Sequence, residues 1–363
     1  MTKMMDRVME QTIDKTKPIL VTGASGYIAN WIIKYLLEEG CTVHGTVRDL
    51  NSEKSVGPLR KIEADAARGK LKLFKADLLD QGSFDEAMQG CEVVIHTASP
   101  FLVRGFTDPE QALIKPAVEG TRNVLEAVNR TDSVKRVVLT SSVAAIFGDN
   151  ADLKKNARGY FTEEDWNFSS SVDHQPYSYS KFLAEKEAWK IHDAQSRWHL
   201  VTINPSMVGG PALTQYSQST SIDTLRSLGN GKLWPGVPRM RLGWVDVRDV
   251  ARAHVEAAFR PDAEGRHIVS NGEPTMLEVA TILKNHFGSK YKFPFFELPK
   301  RIVKWFGWVL DSSAKPRFVE QNVGHELKFD NSRSKARLGL QYHPLEQTFV
   351  DHFQQLIDDG MIR

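Results

Sequence analysis

Between residues 18 and 205 the sequence alternates between short β-branched runs and longer stretches of helical periodicity, and few folds accommodate that rhythm. The runs lie at 19–22, 42–47, 71–74, 92–95, 137–140 and 200–203. Each has strand length and is rich in Val, Ile or Leu. Helical patterns fill 27–39, 59–67, 83–88, 110–129 and 177–194. Strands separated by crossover helices pair in parallel, and the helices then cover both sheet faces. Right-handed crossovers leave an α/β fold with a doubly wound parallel sheet as the expected topology.

The rhythm changes near residue 205. Residues 204–211 are turn-rich, and 233–238 read as a loop. Residues 244–250 look like a strand running into a helix that continues to Phe259. The expected organisation is an extension at 1–16, a dinucleotide-binding domain at 17–205 and a smaller substrate lobe at 206–363. Segment 244–260 is the part of that lobe most suited to return to the first sheet. The extension is amphipathic, with Met1, Met4, Met5, Val8, Met9 and Ile13 at helical spacing among mixed charges. It reads as docked on the body or a partner, with disorder as the alternative. The run 302–310 reads as a core helix of the lobe rather than a membrane face.

Composition narrows the partners. With 47 basic and 45 acidic residues the net charge is +2, so no basic excess points to nucleic acid. No apolar stretch reaches the roughly 20 residues of a membrane span. The two cysteines, Cys41 and Cys91, make neither a disulfide framework nor a zinc cluster. They fit buried, reduced thiols, and a cytoplasmic location is expected. The 11 histidines show no metal-ligand spacing, so no metal is expected. His96 reads as a core histidine, and His192 and His199 as surface residues. A monomer and a homodimer are both compatible with the pattern.

Thr22-Gly-Ala-Ser-Gly-Tyr-Ile-Ala29 joins the first strand to the first helix. Gly23 suits a tight turn, Gly26 lets backbone approach a pyrophosphate, and Ala29 allows close helix packing. Free N–H groups and the helix dipole then face the anion. A plain tight turn is the competing reading. The second strand ends in Arg48-Asp49. A guanidinium there pairs with a 2′-phosphate, where a carboxylate would repel it. Arg48, with Lys54 as a second cation, therefore favours NADPH/NADP+ over NAD. Asp49 leaves room for NAD, and Arg48 has a solvated surface reading as well. Asp77-Leu78 follows the third strand, where a carboxylate meets either an adenine amino group or the N-terminus of the next helix.

Tyr177 and Lys181 stand at i and i+4, on one helix face. A phenol of pKa near 10 is a poor acid–base group at neutrality, and a nearby ammonium stabilises its phenolate. Such a pair can exchange a proton with a carbonyl or alcohol oxygen. Ser141 and Ser142 end the fifth strand at the carboxyl edge, where ligands bind in such sheets. Local backbone capping is the alternative role for either serine.

These stretches, in this order, resemble the extended short-chain dehydrogenase/reductases, and within them the dihydroflavonol-4-reductase/cinnamoyl-CoA reductase group with its microbial aldehyde and ketone reductases. The resemblance rests on Val21–Ala29, Gly45-Thr-Val-Arg-Asp49, Ala76-Asp-Leu78, Val94-Ile-His-Thr-Ala-Ser-Pro100, Leu139-Thr-Ser-Ser142, Tyr177–Glu185, Asn204–Pro211 and Trp244–His254. It covers roughly residues 17–360. It implies NADPH-dependent reduction of a carbonyl, with Tyr177 donating the proton, Lys181 binding the nicotinamide ribose and Ser142 orienting the carbonyl. It further implies cofactor contacts from Ser25, Tyr27 and Ile28 in the turn, from Thr97, Ala98 and Ser99 after the fourth strand, and from Pro205 and Val208 at the nicotinamide.

Two departures shape the expected substrate. Gln175-Pro176 stands where the plant cinnamoyl-CoA enzymes carry Asn-Trp, which weakens a CoA-thioester reading. Val143-Ala-Ala-Ile-Phe147 is apolar where the flavonoid enzymes place an asparagine. A hydrophobic aldehyde or ketone is therefore the expected small-molecule substrate. The competing activities are a nucleotide-sugar epimerase or dehydratase, a hydroxysteroid-type dehydrogenase and a non-catalytic NADP sensor.

Overall fold

The computed structural model describes residues 12–99, 108–310 and 315–362, without the side chains of 306 and 308–310. The greater part of the expected extension, 1–11, lies outside the described residues.

In chain order the sheet strands are β1 (Ile19–Thr22), β2 (Thr42–Val47), β3 (Lys70–Lys75), β4 (Val93–His96), β5 (Arg136–Thr140) and β6 (His199–Pro205). Three short strands follow, β7 (Met207–Gly209), β8 (Gly236–Pro238) and β9 (Trp244–Asp246). The last sheet strand is β10 (Gly265–Val269). The seven pair in parallel in the order β3-β2-β1-β4-β5-β6-β10. The order reverses between β1 and β4, and the crevice outside the strands' carboxyl ends at that point is the binding position of such sheets.

Each strand sends alternate side chains to opposite faces. Ile19 and Val21 join one core with Ile32, Ile33, Leu36 and Leu37 of α1 (Tyr27–Glu38). Leu20 joins the other core with Val124, Leu125 and Val128 on the far side of the sheet. Between these strands run α2 (Glu53–Ala66), α3 (Asp85–Met88), α4 (Lys115–Arg130) and α5 (Pro176–Asp193). Leu36 is fully buried, so Leu36→Ala costs about 2–5 kcal/mol.

The second lobe carries α6 (Thr220–Gly229), then α7 (Val247–Phe259), α8 (Met276–Phe287) and β11 (Phe296–Leu298). It ends with α9 (Lys300–Leu310), α10 (Pro316–Asn322), α11 (Ser332–Leu338) and α12 (Leu345–Asp358). Its core is aromatic: Phe353 packs on Phe287, Tyr291 and Phe293 at centroid distances of 4.8, 5.3 and 5.4 Å.

A division at residue 205 does not follow the sheet. α7 contributes Val250, Ala251 and Val255 to the core beneath β1, and β10 extends the sheet beside β6. Segment 244–260 thus returns to the sheet through its helix, while β9 pairs with β7. β10 escaped the sequence reading because Arg266 and His267 interrupt its apolar run. The expected loop at 233–238 contains β8, which pairs with β11. The helix expected at 59–67 starts at Glu53, Gly57 and Pro58 having broken the pattern. The 83–88 pattern is helical only from Asp85.

The 302–310 run is helical but not simply core. Val303 is buried, whereas Ile302 and Trp305 are 48% and 73% exposed. Cys41 and Cys91 are free and buried. Among the described residues no helix is long and apolar enough to cross a membrane.

Candidate active site

The turn after β1 is built for close approach. Gly23 has φ +65°, and a Cβ there would meet Ala98 Cα at 2.9 Å, so only glycine fits. Ala24 and Gly23 donate their N–H groups to Thr46 O and Oγ1. Asn30 Nδ2 donates to Ala24 O at 2.7 Å and closes the turn from α1. No side chain caps the N-terminus of α1, and its first turn carries no acidic residue. Its leading N–H groups and positive dipole end therefore remain for an anion.

Gly23, Ser25, Gly26, Tyr27 and Ile28 line one end of a cleft of about 1840 Å³. Tyr27 is buried, and its hydroxyl donates to Gly210 O at 2.5 Å, so only its backbone is left for a ligand. Arg48 lines the cleft at the tip of β2, is exposed and pairs with no carboxylate among the described residues. Lys54 does not line it; its ammonium lies 6.0 Å from the Tyr216 ring. Asp77 and Leu78 line the cleft. The Asp77 carboxylate accepts from Leu79 N at 2.9 Å, a local turn bond.

Beyond β4, Thr97 Oγ1 donates to Thr22 O, and Ala98 N donates to Thr22 Oγ1 at 3.1 Å. Thr97 and Ala98 are thereby strapped to β1, and with Ser99 they line the cleft wall. Thr22 Oγ1 also bonds His96 Nδ1 at 2.8 Å, which places His96 in the core. His192 is half-buried between the rings of Trp189 and Trp198 rather than free at the surface.

Tyr177 and Lys181 enter from α5. The helix starts at Gln175, whose backbone is left-handed (φ 55°), followed by Pro176 at the first helical position. Gln175 Nε2 anchors this start by donating to Asp149 Oδ1 at 2.6 Å. His174 Nε2 lies 2.7 Å from Asp149 Oδ2 in a buried pair. The Lys181 ammonium lies 5.8 Å from the Tyr177 ring centre and donates to Ser99 Oγ at 2.8 Å. Burial pulls the ammonium down to about 8. Burial also pushes the Tyr177 phenol up to about 12. Desolvation, and not a lowering by Lys181, sets the direction of the phenol's shift, because the cleft wall removes water from it.

The two serines after β5 divide their roles. Ser141 is buried, and its hydroxyl donates to Glu185 Oε2 at 2.5 Å. Ser142 is half-buried in the cleft wall, and its Oγ accepts from Ala144 N at 3.1 Å. Pro205 and Val208 line the same wall. Of the apolar stretch 143–147, Val143 lines the cleft. Ile146 and Phe147 instead pack with Phe161 and Phe329. Further apolar lining comes from Met207, Leu233, Leu242 and Met276 of the second lobe.

Sequence reasoning missed Asn30, Asp149, His174, Asn204 and Arg266. Their signal is a polar residue set in an apolar run, as Asn204 is at the end of 200–203, but its partners are distant in sequence.

Comparison with known proteins identifies relatives along nearly the whole chain. The profile of the NAD dependent epimerase/dehydratase family matches residues 19–271. A cinnamoyl-CoA reductase of Medicago truncatula is 39% identical over 93% of this chain and 95% of its own length. A tetraketide alpha-pyrone reductase of Arabidopsis thaliana is 36% identical over 95% of this chain and 96% of its own. The yeast methylglyoxal/isovaleraldehyde reductase crystallised with NADPH superposes with a TM-score of 0.77 at 31% identity, covering 95% of this chain and 100% of that one.

Proposed function

The chain belongs to the NAD dependent epimerase/dehydratase family and is an NADP-dependent oxidoreductase of the extended short-chain type, and from that premise we propose that it reduces the carbonyl of a hydrophobic aldehyde or ketone to an alcohol. The observation that carries this reading is the meeting of Ser142, Tyr177 and Lys181 in the cleft that begins at the uncapped glycine turn.

The residues present fit the dinucleotide. The turn at Gly23, Ser25, Gly26, Tyr27 and Ile28 offers backbone N–H groups to the pyrophosphate. The unpaired Arg48 suits a 2′-phosphate. Asp77 and Leu78 would flank the adenine, Thr97, Ala98 and Ser99 the ribose, and Pro205 and Val208 the nicotinamide. Lys54, off the cleft lining, is left to long-range attraction. When bound, NADPH supplies the hydride.

Tyr177 supplies the proton. A phenol held near 12 is fully protonated at neutral pH, which is the state a proton donor needs. Lys181, tied to Ser99, places its cation beside the phenolate left behind. Ser142 Oγ–H orients the carbonyl oxygen and stabilises its developing charge. Val143, Met207, Leu233, Leu242 and Met276 favour an apolar substituent on that carbonyl. The aldehyde and ketone class also agrees with the yeast reductase named for methylglyoxal and isovaleraldehyde.

The test is NADPH oxidation with a panel of aldehydes and ketones, NADH in parallel and Tyr177→Phe as control. Turnover that Tyr177→Phe abolishes while NADPH still binds supports the reading. Turnover confined to acyl-CoA thioesters, or unchanged in Tyr177→Phe, overturns it.

A further inference from the structure

Behind the catalytic wall lies a polar cluster that the reading above leaves unused. Glu185 stands one helical turn after Lys181 on α5, and its side chain is wholly buried. Its Oε1 accepts from Arg266 Nε at 2.6 Å and from Thr202 Oγ1 at 3.3 Å. Its Oε2 accepts from Ser141 Oγ at 2.5 Å and from Asn204 Nδ2 at 2.7 Å. Arg266 Nη1 donates to the carbonyl oxygens of Glu163 and Asp165 at 2.8 and 2.6 Å, and its Nη2 to Ala145 O and Glu185 Oε2 at 3.4 and 3.5 Å. The carboxylate is thus paired and fully bonded, the condition under which a buried charge is tolerable.

Asn204, near the end of β6, is also wholly buried. Its Nδ2 has two hydrogens and two acceptors, Glu185 Oε2 and the Ser142 carbonyl oxygen, the latter at 3.1 Å. Its Oδ1 lies 3.1 Å from Thr202 Oγ1, whose single hydrogen is shared between this oxygen and Glu185 Oε1. A hydroxyl on one side and two acceptors on the other fix which way the amide points. The Ser142 carbonyl has one further partner, Ala145 N, within its own turn. Asn204 therefore ties the Ser142 carbonyl to Glu185 on the helix carrying Tyr177 and Lys181, beside the direct bond of Ser141 Oγ to the same carboxylate.

We infer that Asn204, held in orientation by Glu185 and Thr202, is a positioning residue that sets the placement of Ser142 relative to Tyr177 and Lys181. The inference rests on the reading of Ser142 as the group that orients the carbonyl. The Ser142 hydroxyl has little else to hold it across the cleft. It accepts from its own turn and lies 3.5 Å from Pro205 O. Its direction follows its backbone, whose carbonyl the Asn204 amide holds while Ser141 is held by Glu185 and by its N–H bond to Ile203 O. Displacement of a catalytic group by about 1 Å costs about 100-fold in rate, so one tether of this kind has kinetic consequences without touching substrate.

The experiment is a double-mutant cycle between Asn204→Ala and Ser142→Ala, reading kcat, NADPH Kd by fluorescence and Tm. Ser142→Ala alone lowers kcat about 100-fold or more. Asn204→Ala lowers kcat about 10–100-fold and leaves NADPH Kd within about twofold, since Lys181 keeps its Ser99 bond. In the Ser142→Ala background Asn204→Ala costs no further kcat beyond about twofold, because its effect passes through Ser142. A loss of equal size in both backgrounds, or no loss in the parent, overturns the inference. Full kcat in Ser142→Ala removes the role of Ser142, and the inference with it, a result visible before Asn204 is varied. Should Asn204→Ala fail to fold, Asn204→Ser carries the same cycle. Its short hydroxyl keeps the site polar but cannot span from Glu185 to the Ser142 carbonyl, and a loss of about threefold or more confined to the Ser142 background is expected.

Discussion

Lys181 on α5 donates its hydrogen bond to Ser99, three residues beyond β4, across 2.8 Å. This contact joins the helix carrying Tyr177 to the segment that follows the strand beside the sheet's switch point, and it is the one hydrogen bond of that ammonium among the described residues. Ser99→Ala frees the ammonium without emptying the cleft. We expect kcat/KM for NADPH to fall about tenfold, equivalent to about 1.4 kcal/mol for a bond to a charged group, with Tm little changed. Steady-state kinetics over a range of NADPH concentrations checks this.

Activity should fall on the alkaline side. Burial holds Lys181 near 8, below its ordinary 10.5, so the ammonium is present at pH 7 and lost as pH rises through about 8. The kcat/KM profile of the free enzyme reports that ionisation. A basic limb near 8 that Lys181→Arg displaces upward is the expected result.

The same ionisation bears on stability with the opposite sense. The unfolded chain keeps the lysine proton up to about 10.5 while the folded chain releases it near 8. More protons bind to the unfolded state between those values, so the lysine's burden on stability is present at pH 7 and relieved as pH rises from 8 to 10.5. Lys181→Met should therefore raise Tm at pH 7 while abolishing turnover, a trade-off common at active sites. Thermal melts at pH 7 and near the upper pKa check the sign.

Cofactor choice should pass through Arg48. Replacing its unpaired guanidinium in Arg48→Glu sets a like charge against a 2′-phosphate. The ratio of kcat/KM for NADPH over NADH is expected to drop about 100-fold or more. An unchanged ratio would return Arg48 to the solvated surface.

Arg266→Met leaves the Glu185 carboxylate buried without its cation. Breaking a buried pair from one side costs about 3–5 kcal/mol, readable by urea denaturation. The double replacement Arg266→Met with Glu185→Met should recover much of it, because no charge is then stranded.

Local pattern made much of the cleft legible. The strand tips at Val47, His96 and Thr140 follow from short β-branched runs, and the shared face of Tyr177 and Lys181 follows from four-residue spacing. The need for glycine at position 23 was readable as a tight turn, and its close approach to Ala98 is the physical form of that need. Lys54 read as a second cation behind Arg48, but spacing alone could not say that it stands off the cleft lining.

The sequence by itself determined the β-α rhythm, the parallel sheet and the order of the candidate site residues along it, because side-chain period and turn chemistry act over a few neighbouring residues. Tertiary structure decided what depends on distant partners. It brought in β10 despite its polar centre, since Arg266 finds Glu185 from 81 residues away. It joined Asn204 to Ser142 across 62 residues. It set the direction of the Tyr177 and Lys181 ionisations, because desolvation depends on which atoms close around a group.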